Sequence, residues 1–95
     1  MLRSKLSAGT RCALEHGGMA PTFLTESTNL DVASKLLVKG GFYHAGQVCV
    51  SVQRVFVHKK IFNDFLNKFE KNLKPLKIGN PLDRKTEIGP LIRPS

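Results

Sequence analysis

The chain has 95 residues, enough for at most one small domain, because short chains bury a low fraction of their surface. Hydrophobic residues make up 41% and charged residues 23%, which is the composition of an ordinary folded protein. No run approaches the roughly 18 consecutive apolar residues that cross a bilayer, so no membrane partner is predicted. Two cysteines are too few for the disulfide framework of a small secreted domain, and we predict a reducing, cytoplasmic setting.

The net charge of +8 would suit a polyanionic partner, since a summed positive potential concentrates nucleic acid, anionic membrane surfaces or acidic substrates. The basic residues, however, are not interleaved with aromatic residues in a nucleic-acid recognition motif. Nucleic acid is therefore disfavoured as a partner. The charge indicates instead a solvated face, or a surface that meets an acidic neighbour.

Two short strands are predicted near the beginning of the chain. Residues 12–14 form an apolar run that ends at Glu15, and the pair Gly17 and Gly18 favours a tight turn or a close approach of the backbone to another group. Pro21 follows this turn, and residues 22–25 after it have the β-branched and aromatic bias of a second strand.

A helix follows these two strands. Asn29 is a suitable N-cap, and Asp31 is well placed in the first turn. Positions without polar side chains recur at intervals of three and four residues, as one face of a helix requires. They are Leu30, Ala33, Leu36, Leu37, Gly40 and Gly41.

The best strand and the best helix come next. Residues 50–58 are rich in β-formers, with Val55 and Val57 on one face and Arg54, Phe56 and His58 on the other. Residues 61–76 carry a single apolar stripe at helical spacing. Its members are Ile61, Phe62, Phe65, Leu66, Phe69, Leu73 and Leu76. The order strand, strand, helix, strand, helix predicts an α/β fold with a parallel sheet.

Cys49 and Glu15 are the candidate chemical groups. Cys49 lies between the predicted helix and the best strand, at a junction where backbone N–H groups can favour a reactive thiolate, although a cysteine beside valines is also typical of a buried core. A carboxylate after an apolar strand, as at Glu15, indicates a functional acid, a helix cap or a surface salt bridge. The spacings among Cys12, His16, His44 and Cys49 match no usual zinc motif, so no metal is predicted.

Several segments together resemble the aldehyde dehydrogenase superfamily of NAD(P)-dependent enzymes. Leu14-Glu15-His16-Gly17-Gly18, then Phe42-Tyr43-His44-Ala45-Gly46-Gln47-Val48-Cys49, look like its two active-site signatures, in the order and at the separation typical of the family. The resemblance continues through Gly79-Asn80-Pro81 and Ile88-Gly89-Pro90-Leu91-Ile92. It covers the chain from about Gly9 onward, and His16 is a local departure from the small or aliphatic residue usual there.

The resemblance implies a function for the two signatures. Cys49 would attack an aldehyde as a thiolate and form a thiohemiacetal, which becomes a thioester once hydride passes to NAD or NADP. Glu15 would be the general base for hydrolysis of the thioester. Gly17 and Gly18 would let the backbone pass close to the nicotinamide end of the cofactor. Residues 1–18 would end the cofactor-binding domain, and residues 19–95 would belong to the catalytic domain.

The same resemblance implies that the chain is a fragment of a longer enzyme and inactive when isolated. The family's upstream asparagine and cofactor-binding strands are absent from the sequence. The expected partners are an aldehyde, which Tyr43, His44 and Val50 would approach, the remainder of the dehydrogenase, and further copies in a homo-oligomer. The alternative is a non-catalytic remnant acting as a small basic interaction module, for which a salt-sensitive association with nucleic acid would be evidence.

Overall fold

The computed structural model describes residues 3–13 and 17–93. Its regular elements are the strands β1 (Ala20–Leu24) and β2 (Val52–Val57) and the helices α1 (Leu30–Phe42) and α2 (Phe62–Leu73). Short 3-10 turns occupy Arg3–Lys5, Tyr43–Gly46 and Lys59–Ile61. The mixed α/β class and the order strand, helix, strand, helix from residue 20 onward are therefore confirmed.

The two strands pair in parallel, as predicted, with Ala20 opposite Val52 and Leu24 opposite Val57. Parallel strands need a long crossover, and α1 is that crossover. The register shifts between Ala20 and Pro21. A bulge is a suitable place for a proline, which has no N–H to contribute to the ladder.

The strand predicted over residues 12–14 is not formed at Cys12 or Ala13, and Leu14 lies outside the described residues. Strand backbone needs a neighbour that satisfies its N–H and C=O groups. Within residues 3–13 and 17–93 the sheet consists of β1 and β2, which pair with each other. An apolar run without such a neighbour stays irregular, and the predicted strand is contradicted at Cys12 and Ala13.

Helix α1 begins at its predicted cap, since the Asn29 Oδ1 accepts hydrogen bonds from the N–H groups of Asp31 at 3.1 Å and Val32 at 3.2 Å. Its buried face differs from the prediction in one respect. Leu36 was placed on the core face but is 62% exposed, whereas Val38 is 6% exposed. The core face runs along Leu30, Ala33, Ser34, Leu37 and Val38, and Leu36 lies to one side of it.

The core lies between the helices and one face of the sheet. Leu24, Leu37 and Phe65 are its buried centre, from β1, α1 and α2 respectively. The helices are joined by a hydrogen bond of 2.9 Å from the Asn72 Nδ2 to the buried Ser34 Oγ. No helix in residues 3–13 and 17–93 is both long enough and apolar enough to span a membrane.

The opposite face of the sheet is open. Phe23 and Phe56 lie side by side on it, with ring centroids 4.8 Å apart, and are 68% and 48% exposed. The predicted alternation along β2 is confirmed, because Val55 and Val57 are half-buried while Phe56 is exposed.

Candidate functional site

Cys49 lies in a tight turn between the end of α1 and the beginning of β2. The Ser51 N–H donates to the Val48 carbonyl at 3.0 Å and closes the turn, leaving Cys49 exposed near its tip. Ser51 itself is buried, and its Oγ donates to the carbonyls of Gly40 at 3.3 Å and Gly41 at 3.1 Å. Carbonyls in the last turn of a helix lack intrahelical partners, so Ser51 both satisfies them and fixes the turn to α1.

The segment that leads into this turn has an uncommon backbone. His44 and Ala45 have φ values of 48° and 56°, and Gly46 follows with φ 73°. Left-handed conformations cost an L-residue with a Cβ about 1–2 kcal/mol each. The Gln47 N–H donates to the His44 carbonyl at 3.1 Å and holds the reversal closed. Strain of this kind is enriched at functional sites, and here it carries the chain from α1 to Cys49.

Gly18 contacts the backbone of Cys49. A Cβ at Gly18 would lie 3.1 Å from the Cys49 carbonyl oxygen, while one at Gly17 would meet nothing within 4 Å. The contact follows from the parallel pairing, since Gly18 precedes β1, Cys49 precedes β2, and Ala20 pairs with Val52. The structure thus brings Gly18, at the end of the first signature, against Cys49, at the end of the second.

Glu15 lies outside the described residues, together with Leu14 and His16. Its assignment as the general base therefore stays a prediction. Gly17 and Gly18, which follow it, are both exposed.

The site lies at the amino-terminal ends of two parallel strands. Open α/β sheets usually bind their ligands at the carboxyl ends of the strands. A glycine pair before β1 and a strained turn before β2 reverse that preference here.

A cavity of about 400 Å³ adjoins the Cys49 turn. Val48 and Val50, on either side of Cys49, line one wall, and Leu36 and Tyr43 line another. Lys39, Gly40 and Ser51 complete the lining. Tyr43 and Val50 are thus brought together as candidates for the substrate side of the site.

His44 faces a different cavity, also of about 400 Å³, which Gln47, Pro90 and Ile92 line with it. Gln47 ties this region together, because its Oε1 accepts from the Ile92 N–H at 2.9 Å. His44 therefore lies beside the candidate substrate cavity without lining it. Sequence reasoning missed Leu36, Lys39 and Val48 as lining residues, because membership of that wall depends on where the turn packs.

The chemical groups near Cys49 are few. Both cysteines are free thiols, Cys12 half-buried and Cys49 exposed. Over residues 3–13 and 17–93, no three His, Cys, Asp or Glu side chains gather in a way that would hold a metal ion. The Cys49 N–H donates no hydrogen bond to any described residue, so it is available to an oxygen atom bound beside the thiol.

Comparison with known proteins gives concordant matches. Residues 2–95 match the model of the aldehyde dehydrogenase family. The 3-sulfolactaldehyde dehydrogenase of Priestia aryabhattai is 43% identical over 94 residues, which are 98% of this chain. The chain spans 19% of the length of that relative.

Solved structures agree on the fold. Betaine aldehyde dehydrogenase from Staphylococcus aureus in complex with NAD+ superposes with a TM-score of 0.76 at 33% identity, over 82% of this chain and 16% of that one. NADP-dependent glyceraldehyde-3-phosphate dehydrogenase from Bacillus halodurans, complexed with NADP, gives 0.76 at 26% identity, over 80% of this chain and 16% of that one.

Proposed function

Because this chain belongs to the aldehyde dehydrogenase family, we propose that it supplies the nucleophile and the general base with which a longer enzyme oxidises an aldehyde to a carboxylic acid. The contact of Gly18 with the Cys49 carbonyl carries the proposal. It joins the two signatures on which the chemistry depends, although they are far apart in the sequence.

The first half of the reaction uses Cys49. Its thiolate forms a C–S bond to the aldehyde carbon, and the carbonyl electron pair moves to the oxygen as a thiohemiacetal oxyanion. The free Cys49 N–H is the group in this chain that would stabilise that oxyanion. When the oxyanion collapses, hydride leaves the same carbon and a thioester remains on Cys49.

The second half uses Glu15. Its carboxylate takes a proton from water as the water oxygen attacks the thioester carbon, and the C–S bond then breaks. The products are the carboxylic acid and the Cys49 thiolate. Holding these groups in one place makes both steps effectively intramolecular.

NAD or NADP, when bound, supplies the acceptor for the hydride. Gly17 fits a position beside the reactive end of such a cofactor, because it is exposed and a Cβ there would meet nothing within 4 Å. We propose that residues 1–18 belong to the cofactor-binding domain and residues 19–95 to the catalytic domain. The remainder of the enzyme would hold the body of the dinucleotide, and the isolated chain is expected to be inactive.

The proposal is tested by a chimera in which this chain replaces the matching segment of the Priestia aryabhattai 3-sulfolactaldehyde dehydrogenase. We expect aldehyde-dependent NAD(P)H formation. Cys49→Ala should abolish even the first turnover. Glu15→Gln should give a burst of one NAD(P)H per site and then stop, because the thioester forms without being hydrolysed.

Two controls make a negative result informative. Cofactor binding and a native-like circular dichroism spectrum show that the chimera has folded, and Cys12→Ser should leave turnover unchanged. If the chimera is folded and binds the cofactor but forms no NAD(P)H, not even in a single burst, the proposal for Cys49 is refuted. Multiple turnovers by Glu15→Gln would remove the one for Glu15.

A further inference from the structure

Helix α1 has a second face, beside the one that packs in the core. Leu36, Lys39 and Gly40 follow one another at intervals of three and one residues, so they lie on one side of the helix, and Tyr43 is the C-cap that follows them. All four line the cavity that adjoins the Cys49 turn. The exposure of Leu36 is explained by this position.

The charge on this face comes from Lys39. Apart from it, the cavity is lined by uncharged residues. Among the described residues the Lys39 ammonium forms no salt bridge, whereas Lys60, Lys68 and Lys74 are each paired with a carboxylate. An unpaired cation therefore borders an apolar wall that begins at both neighbours of Cys49.

The neighbouring surface does not supply a fixed counter-ion. Glu87 lines an adjoining cavity of about 260 Å³ together with Lys39 and Lys35. Its Oε2 already accepts a hydrogen bond from the Lys77 N–H at 3.1 Å. Lys35 and Lys39 thus border a carboxylate that already accepts a hydrogen bond from another residue, and among the described residues neither lysine forms a salt bridge with it.

We propose that Lys39 selects aldehydes carrying an anionic group at the end of a short aliphatic chain. The aliphatic part lies against Leu36, Tyr43 and Val50, and the anion pairs with the Lys39 Nζ. The aldehyde carbon reaches Cys49 at the edge of the cavity, because Val48 and Val50 line the cavity and Cys49 itself does not. This inference rests on the proposed function, since it concerns the substrate of that same site. Lys39 is a specificity residue and takes no part in bond making.

The ordinary alternative is that Lys39 only complements the carboxyl end of α1. A cation in the last turn of a helix is stabilised by the partial negative charge there. That role would affect helix stability alone. It would not distinguish two reagents that differ in charge and share a reactive group.

A matched pair of alkylating reagents makes this distinction without any turnover. N-(2-carboxyethyl)iodoacetamide and N-propyliodoacetamide have the same electrophile and similar length, and only the first is an anion. Their rates at Cys49 are measured in the Cys12→Ser chain, where Cys49 is the single thiol. The ratio of the anionic to the neutral rate at Cys49 is divided by the same ratio measured for a small thiol in the same buffer. The quotient is the referenced ratio.

In the Cys12→Ser chain we expect the referenced ratio to exceed one by about two- to fivefold, the range for a solvent-exposed ion pair. Lys39→Gln should return it to one, and Lys39→Glu should take it below one. The preference should weaken as salt is added, because exposed charges are screened. Lys59→Gln, at the other end of β2, is the matched control and should change nothing.

The same substitution is then examined in the catalytic chimera. Succinate semialdehyde and 4-methylpentanal are the test pair, since they have similar shapes and differ in charge. Lys39→Gln should raise the KM for the first about two- to fivefold and leave both the KM for the second and kcat unchanged.

The outcomes separate the two proposals. If Cys49 reacts with the neutral reagent but Lys39→Gln leaves the ratio unchanged, the charge preference is refuted and the proposed function is untouched. A second outcome is that the rate ratio changes with the charge at position 39 while a folded chimera forms no NAD(P)H. In that case the proposed function is refuted and the anion preference at Cys49 remains. Equal KM changes for both aldehydes would likewise refute selection by charge.

Discussion

Gly17 and Gly18 are neighbours in the sequence with different surroundings. A Cβ at Gly18 would lie 3.1 Å from the Cys49 carbonyl oxygen, whereas one at Gly17 would have open space. The requirement for glycine at position 18 is thus steric, and it arises from the turn that holds Cys49. At position 17 the residue can be exchanged without disturbing the chain itself.

Gly18→Ala should displace the Cys49 turn. The crowding is expected to cost about 0.5–1 kcal/mol, or roughly a two- to fivefold change in the rate at which iodoacetamide alkylates Cys49. The rate is measured in the Cys12→Ser chain. Gly17→Ala is the matched control, and a change of equal size in both variants would contradict a contact specific to Gly18.

At the scale of single residues, the sequence indicated which residues are candidates for the chemistry. It said less about which residues contact them. The motif around Cys49 marked it as the candidate nucleophile, which stays a prediction, and the structure adds the buried Ser51 that anchors its turn. Nothing in the pattern of residues 50–58 marks Ser51 as the partner of the α1 carbonyls. That role exists only because the end of α1 meets the start of β2.

Helices α1 and α2 show how far periodicity predicts an element. The predicted stripe of α2 is confirmed in part, since Ile61, Phe65 and Phe69 pack in the core whereas Phe62 and Leu66 are exposed. The cap at Asn29 was predicted correctly, because local hydrogen bonding determines it. The position of Leu36 was not, since two overlapping apolar faces share one helix. Only packing decides which of the two faces meets the core. A search for apolar residues overlooks the core face, because the polar residue Ser34 is buried on it.

The two helices are also linked by charge. A hydrogen bond from the Lys68 ammonium, and then its positive charge, hold the pKa of Asp31 below its ordinary value of 3.8, with smaller contributions from Lys35 and Lys71. A depressed carboxyl pKa stabilises the folded state above the unfolded pKa, and this contribution is lost as the pH falls through the folded pKa.

Asp31→Asn should therefore destabilise the chain near neutral pH and have progressively less effect below pH 3.8. The free energy of unfolding is measured by urea titration at about pH 6, where the contribution is fully present, and at about pH 3, where part of it has been lost. Asp64→Asn is the matched control, because Asp64 lies in the first turn of α2 and has no salt bridge to a described residue. A cost of Asp31→Asn that is the same at both pH values would contradict the role of the ion pair.

At the scale of the whole molecule, the chain is extended and exposes many large apolar side chains. Its radius of gyration is 18.3 Å, against about 12 Å for a compact domain of this length. Phe23 and Phe56 cover the open sheet face, and in the described part of the chain each strand has one unpaired edge. Exposed edges and apolar patches of this kind favour association.

Replacing both exposed phenylalanines, as Phe23→Ser with Phe56→Ser, should reduce self-association of the isolated chain. Burial of a large apolar side chain contributes about 1.5–3 kcal/mol, so the concentration at which the chain associates should rise about tenfold or more. Sedimentation velocity over a concentration series measures the shift. Phe62→Ser with Leu66→Ser, on the exposed part of α2, is the control pair, and an equal shift there would mean that the sheet face has no special role.

At this scale the fold class followed from the order of elements, whereas the site depended on the resemblance carried by the two signatures. Composition and charge said little about function, since +8 is compatible with several partners. The parallel pairing was predictable, but the contact of Gly18 with Cys49 was not, because it depends on the register that packing selects. The cytoplasmic location stays a prediction.

That register has a consequence for the spacing of the two signatures. Sliding β1 along β2 by one residue would move it about 3.3 Å and turn its core side chains outward, and a slide of two would restore the faces at about twice that displacement. Either change would carry Gly18, and the segment before it, away from Cys49 while both signatures stayed intact. The register of β1 against β2 therefore sets the distance between the two signatures. A substitution that changes only this register would impair the proposed chemistry without altering either signature.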